Sequence, residues 1–493
     1  MKLFKFNKPN YKYIPLNVDV KEQMGAELVD SFSQTNPFII WIFLGSAMAW
    51  CITAPAMMLP AFTVGNACPS GENCTLTEGS IINEFDLIGP RAFIADISTT
   101  AYMFGNIIGA SSLARMADFF GRRPLVVYCV LASGLTGLFV LIIDNVYEYM
   151  VIRLIQGILF PGAGITCWCL GYESIGSKSR SYATLVFGCA WVLGYIALGP
   201  MAMWFHNWRH LTVATCVPCI VAGVVFYFFL PESFYFLISN KKEKELSRWL
   251  VNLNRFKYET AASAREIIDE HARRHELSET AQAQKKANFF VQIYSHKKLF
   301  CFTLIMTYLW VCDAICYYGL SLFSSELAGN KYLNYVLLGL IEVPSYIVSP
   351  YLLDFLGRRY TISGLHFLSA VGFVGALFVD YHVLSFIFWL IGKFGVACAF
   401  TSLYVYAAEI FPTHLRSGGI GACEVGARVG GTLAPSLHTL TVVSPVSLTI
   451  IFVVLAAGAG GVTLFLPETG GQHLPDSTEE VENLKKNVEK YVL

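Results

Sequence analysis

Several ionisable residues stand inside runs that otherwise contain no charge. GACEVGARVGGTLAPSL places Glu424 and Arg428 four apart, hence on one helical face. Glu342 lies in LIEVPSY, Asp313 in YLWVCDAICYYGLSL, Arg153 in VIRLIQ and Lys393 in IGKFGV. At bilayer depth each such charge costs ~2.5–3.5 kcal/mol on insertion scales, so it needs a function or a partner. The chemistry open to them is ion binding. A guanidinium grips a carboxylate bidentately, and an acid among aromatic rings receives a quaternary ammonium. Trp310 and Tyr317, seven apart, share one face of a helix, and Trp168 lies in a separate apolar run. Trp191, Tyr195, Tyr318 and Tyr346 are weaker ring candidates. The binding set is therefore Arg428, Glu342, Asp313, Lys393, Trp310, Tyr317 and Trp168. The plainer alternative is that Glu424 and Arg428 neutralise each other and that Arg153 and Lys393 tie helices together. Catalytic spacing is absent, with no triad, P-loop or HExxH pattern. Cysteines at CxC and CxxC spacing, among them Cys167, Cys169, Cys216, Cys219, Cys312 and Cys316, read as small apolar packing residues rather than metal ligands.

A second set of charges occurs twice. DFFGRR at 118–123 returns as DFLGRR at 354–359, and YESIGSKSRS, with Glu173 and Arg180, returns as AEIFPTHLRS, with Glu409 and Arg416. FLPES at 229–233 returns as FLPET at 465–469, and Asp144 returns as Asp380. Every pair is 236 residues apart, so about 97–233 and 333–469 are two copies of one unit. Gly121 and Gly357 let the chain turn sharply, and Asp118 or Asp354 is placed to cap a neighbouring helix. Arg122, Arg123, Arg358 and Arg359 can then bridge to Glu173, Glu409, Glu232 and Glu468. With Arg180 and Arg416 these form an expected cytoplasmic latch, closed when the binding site faces out and parted when it faces in.

The elements that must hold these groups are membrane helices. Hydrophobic residues make up 55% of the 493 and charged ones 14%, a balance that excludes an ordinary soluble domain. Windows of about 20 apolar residues, enough to cross a core of about 30 Å, fall near 38–60, 96–116, 124–143, 147–171, 181–201, 210–230, 299–321, 332–353, 360–379, 383–407, 418–440 and 445–466. The expected fold is an all-α membrane protein of twelve spans in two six-helix repeats. Its parts are a cytoplasmic segment 1–37, a bundle 38–233 with a short outer loop 61–95, a cytoplasmic loop 234–298, a bundle 299–469 and a cytoplasmic tail 470–493.

Lysine and arginine set the orientation. The stretch 240–298 is the most basic in the chain, and the N-terminal stretch is similarly basic, which puts both in the cytoplasm if the span count is even. No cleavable signal precedes the first span. The outer loop carries Asn73-Cys74-Thr75, a glycosylation pattern at Asn73, and Cys68 is placed to bridge Cys74. KELSRWLVNL and ASAREIIDEHARRHEL fit short amphipathic helices capping the inner face, and the terminal segment fits a helix capped at Asp476 or Ser477. Net charge is zero, with no tail that points to nucleic acid. A monomer in the bilayer, without cofactor and with sodium or proton coupling left open, is the expected state.

GKFGVACAFTSLYVYAAEIFPTHLRSGGIGA (392–422), DFFGRRP, YESIGSKSR, PESFYFLIS and EFDLIGPRAFIAD (84–96) together resemble the organic cation, anion and carnitine transporters of the major facilitator superfamily. The likeness runs from about 84 to 476 and is strongest at 392–422. The sugar-porter amide pairs are missing from FGCAWVLGYIALG and from the run that holds Asp313. The resemblance implies a plasma-membrane transporter of small organic ions. It places Arg428 where the anion and carnitine branches carry arginine, and Glu342 where the cation and carnitine branches carry an acid. The combination resembles the carnitine-type branch, with an organic anion carrier or a non-transporting receptor on the same fold as the alternatives. The outer loop is shorter than that family's usual one.

Overall fold

The structure, a computed structural model, describes residues 36–65, 77–176, 180–254, 265–269, 293–324, 327, 329–412, 415–437, 446–471, 475 and 478–483. Each apolar window holds a helix among the described residues, and the first six are α1 (Pro37–Met58, carried on by Pro60–Thr63), α2 (Phe93–Phe120), α3 (Arg122–Leu138), α4 (Val146–Ser174), α5 (Arg180–Trp204) and α6 (Trp208–Phe229). The second six are α7 (Lys297–Leu322), α8 (Lys331–Leu340 continuing as Glu342–Leu356), α9 (Arg358–Phe378), α10 (His382–Ile410), α11 (Arg416–Leu433) and α12 (Ser447–Thr463). Nine are long and apolar enough to cross a bilayer by length and composition, among the described residues. The other three are α2 and α11, which carry polar groups, and the shorter α12.

Asparagine starts four of these helices. The side chains of Asn36, Asn145, Asn207 and Asn330 accept from the backbone N–H of Phe38, Tyr147, Arg209 and Tyr332, satisfying first-turn donors that lipid could not.

Packing repeats as the sequence does. Helix α1 packs on α4, α5 and α6, α2 on α4, and α3 on α4 and α6. In the second half α7 packs on α10, α11 and α12, α8 on α10, and α9 on α10 and α12, the same pairings moved by six helices. The halves meet where α2 lies on α11 and α5 on α8. One rim carries the DFxGRR turns; the opposite, far rim carries the ends of α1 and α5 and the start of α8. Toward that far rim Phe62 stacks on Tyr332 at 5.6 Å, Tyr195 stacks on Tyr335 at 4.4 Å, and the Thr100 and Ser436 hydroxyls are 3.3 Å apart.

Beyond the charged rim, the helix Glu243–Asn254 buries Leu246, Trp249, Leu250 and Leu253. Trp249 meets Phe38 and Phe234 edge-on or tilted at 5.3 and 4.8 Å, so the amphipathic face rests on the protein itself. Asn73, Cys68, Cys74, Asp476 and Ser477 lie outside the described residues.

Candidate functional site

At the charged rim each repeat builds a joint. Gly121, at φ +112°, ends α2, and the backbone N–H groups of Arg122 and Arg123 donate to Glu232 at 3.0 and 3.1 Å. Gly357, at φ +81°, ends α8, and the N–H groups of Arg358 and Arg359 donate to Glu468 at 2.8 and 3.0 Å. A carboxylate from the end of α6 or α12 thus caps the start of α3 or α9. Arg122 contacts Glu173 at 3.3 Å, while Arg358 holds Glu409 through Nε and Nη2, both at 2.9 Å. Ser233 donates to Glu173, and its counterpart Thr469 donates to Glu409 at 2.6 Å. Arg123 turns instead to the Tyr227 carbonyl at 2.6 Å. Burial lifts the Glu232 carboxyl above its ordinary range, against the pull of the N–H groups of Ser233, Arg123 and Arg122.

Two expectations change here. The capping carboxylates are Glu232 and Glu468, whereas Asp118 and Asp354 stay exposed and pair with the arginine four residues on, at 3.0 and 3.5 Å. The bridges to Glu173 and Glu409 also join helices of one half rather than closing the gate between halves. Arg416 is the first residue of α11 and Arg180 the first of α5; the side chain of Arg180 is outside the described set.

Midway along the seam a buried ionic group gathers residues from four helices. Glu342 begins the second segment of the broken helix α8 and is fully buried. Lys393 of α10 approaches its Oε1 at 3.0 Å, and the Tyr317 and Tyr346 hydroxyls donate to Oε2 at 3.0 and 3.3 Å. Trp191 of α5 donates its indole N–H to the Tyr317 hydroxyl at 2.8 Å, joining the first half to the second. Lys393 also donates to Ser321 Oγ at 2.8 Å.

Arg428 of α11 also reaches across the seam. It donates to Asn106 Oδ1 of α2 at 2.5 Å and stands 4.0 Å from Glu424, with 18% of its side chain exposed. Its hydrogen bond goes to a neutral amide and its ion pair with Glu424 is long, so the guanidinium keeps donors for a further anion.

The remaining candidates have partners of their own. Asp313 turns to His366 of α9 at 2.9 Å, and both are buried. Trp310 is fully buried, edge-on to Tyr404 at 4.4 Å and to Phe400 at 5.7 Å. Trp168 packs on Phe187 at 4.7 Å and stacks on Tyr172 at 6.4 Å. Arg153 is a tie within the first half, donating to the Ala56 carbonyl at 2.9 Å with its guanidinium 4.2 Å from the Tyr102 ring centroid. Sequence reasoning missed Asn106 and Ser321, neutral residues whose insertion cost is too small to mark them, and it missed His366, an ionisable residue in an apolar run that the same rule could have flagged. Ser233 and Thr469 share the 236-residue register and were there to be found.

Two bundles of six helices in matched pairings, with charged groups at the seam, define a transporter of the major facilitator fold. A model of the sugar (and other) transporter family matches residues 73–481, and the chain belongs to that family. The Caenorhabditis elegans protein B0252.3 is 33% identical over 465 residues, 94% of this chain and 92% of its own. Organic cation transporter 1 of the same organism is 30% identical over 419 residues, 83% of this chain and 70% of its own. Among solved structures, an inward-open conformation of the xylose transporter XylE from E. coli superposes with a TM-score of 0.67 at 17% identity, covering 90% of this chain and 99% of that one. The chain is a multi-pass membrane transporter related to organic cation transporters, not an enzyme.

Proposed function

We propose that this transporter moves small organic ions across the plasma membrane by alternating access, with carnitine-like zwitterions or organic cations as its substrates. The observation that carries the reading is Arg428, placed at the seam with an amide partner and part of its side chain open. A carboxylate there gains a charge-assisted bidentate contact, and an ammonium on the same molecule meets the acid and ring faces around Glu342. The relationship to organic cation transporters supports the same class. The basic stretch at 240–298 argues for a cytoplasmic charged rim and cytoplasmic termini, and the two joints then keep each half rigid as it rocks. The protein acts as a monomer.

An organic anion carrier is the second reading. It is favoured by one observation, that Lys393 already neutralises Glu342 and leaves Arg428 the more accessible charge. Uptake of labelled L-carnitine, p-aminohippurate and tetraethylammonium by cells expressing the chain tests both. Arg428→Asp is expected to cut carboxylate uptake about tenfold or more, the loss of one charge-assisted contact of about 1.5–3 kcal/mol, with surface expression unchanged. Continued carboxylate uptake by that variant removes the assigned role.

A further inference from the structure

The ammonium of Lys393 rests in surroundings suited to an organic cation. Nζ is 3.0 Å from Glu342 Oε1, 2.8 Å from Ser321 Oγ and 3.4 Å from the Tyr317 carbonyl. It is also 3.5 Å from the centroid of the Tyr317 ring and 6.0 Å from that of Tyr195. An acid, a hydroxyl and ring faces, fully enclosed, are what a protein offers an alkylammonium. The parts come from both halves, since Tyr195 and the Trp191 that orients Tyr317 belong to α5, while the lysine hangs from α10. A lysine serving only to neutralise Glu342 has no need of groups that separate when the halves rock. Its four-carbon stem is flexible and its charge compact, so it can leave.

We propose that Glu342, Tyr317, Ser321 and Tyr195 form an ammonium subsite of the transport site, filled in this state by Lys393 and vacated by it for the substrate's cationic group. The proposal rests on the transport reading above and deepens it, making Lys393 a tethered competitor that sets how strongly cations bind. A subsite occupied by its own lysine for 90–99% of the time weakens apparent cation affinity about 10–100-fold.

Removing the lysine side chain beyond Cβ leaves a space of the shape of n-propylammonium, which is the first probe. Purified full-length Lys393→Ala is expected to be stabilised against heating by n-propylammonium at concentrations that leave the parent unmoved. The added Glu342→Gln change is expected to abolish that response. If Lys393→Ala does not fold alone, n-propylammonium in the growth medium must restore it, and failure of rescue overturns the subsite. The second probe is labelled tetraethylammonium, whose uptake reports the transport site as the halves move. Its uptake KM is expected to fall about tenfold or more in Lys393→Ala and to stay at the parent value in Lys393→Arg, which keeps a tethered cation. Rescue by n-propylammonium with an unchanged tetraethylammonium KM would make Lys393 a structural neutraliser and end the proposal. Should no ion be taken up by any form while n-propylammonium binding is gained, the subsite stands and the transport reading falls.

Discussion

The imidazole of His366 sits between two oxygens, the Ile362 carbonyl 2.8 Å from Nδ1 and Asp313 Oδ1 2.9 Å from Nε2. A carbonyl only accepts, so Nδ1 carries hydrogen, and a proton must also lie between Nε2 and Oδ1. The two partners are therefore unequal to lose. His366→Leu strands a buried carboxylate and is expected to cost about 3–5 kcal/mol, whereas Asp313→Leu strands a neutral ring and is expected to cost about 1–3 kcal/mol. The double change should cost less than the sum, because the two groups are coupled. Thermal unfolding of the purified full-length variants measures all three, and equal costs for the single changes would show that the carboxylate is no costlier to strand than the ring. At this scale the charged residues were legible, because Asp313, Glu342, Lys393 and Arg428 are expensive wherever they sit in an apolar run. What each was for was not. Asp313 is satisfied by α9 and Arg428 by Asn106, and neither partner has a spacing that links it to the residue it meets.

Among the elements, the two DFxGRR joints were the most legible feature, since a constant 236-residue offset survives without any knowledge of the fold. Their wiring was hidden, because the cap on α9 comes from Glu468, 110 residues beyond Arg358. Glycine is required at the turn for two reasons together. Gly357 has φ +81°, and a Cβ on it would lie 2.7 Å from Glu468 Oε2, the oxygen that receives the Arg359 N–H. Gly357→Ala must therefore strain the backbone and push the capping carboxylate aside. The expected cost is about 2–4 kcal/mol, combining a strained left-handed residue of about 1–3 kcal/mol with a lost cap of about 1 kcal/mol. A melting temperature equal to the parent's would show that the joint tolerates a side chain. Glu468→Gln, which keeps one acceptor oxygen, should cost less than Glu468→Ala in the same measurement.

For the whole molecule, the twelve windows and the six-plus-six division were readable from hydropathy and register, while α2 and α11 fell short of an apolar span by composition. Their polarity has a place in the assembly, since these two helices face one another at the seam and bring Asn106 to Arg428. The seam also supplies a test of alternating access. The hydroxyls of Thr100 and Ser436 are 3.3 Å apart at the far rim, close enough for a disulfide to replace them. Thr100→Cys with Ser436→Cys, once oxidised, is expected to hold that rim closed and to lower labelled ion uptake about tenfold or more, with recovery on reduction. Parent-level uptake by the oxidised form would mean that the rim does not open during transport.

The twin joints have one more consequence. Because Gly121 with Glu232 and Gly357 with Glu468 play matching parts in the two copies, the chain carries its own control experiment. The same substitution made in each copy meets the same glycine and carboxylate, so any difference between the two responses reports what the neighbours add, Phe236 beside Gly121 and the closer Arg358–Glu409 pair beside Gly357.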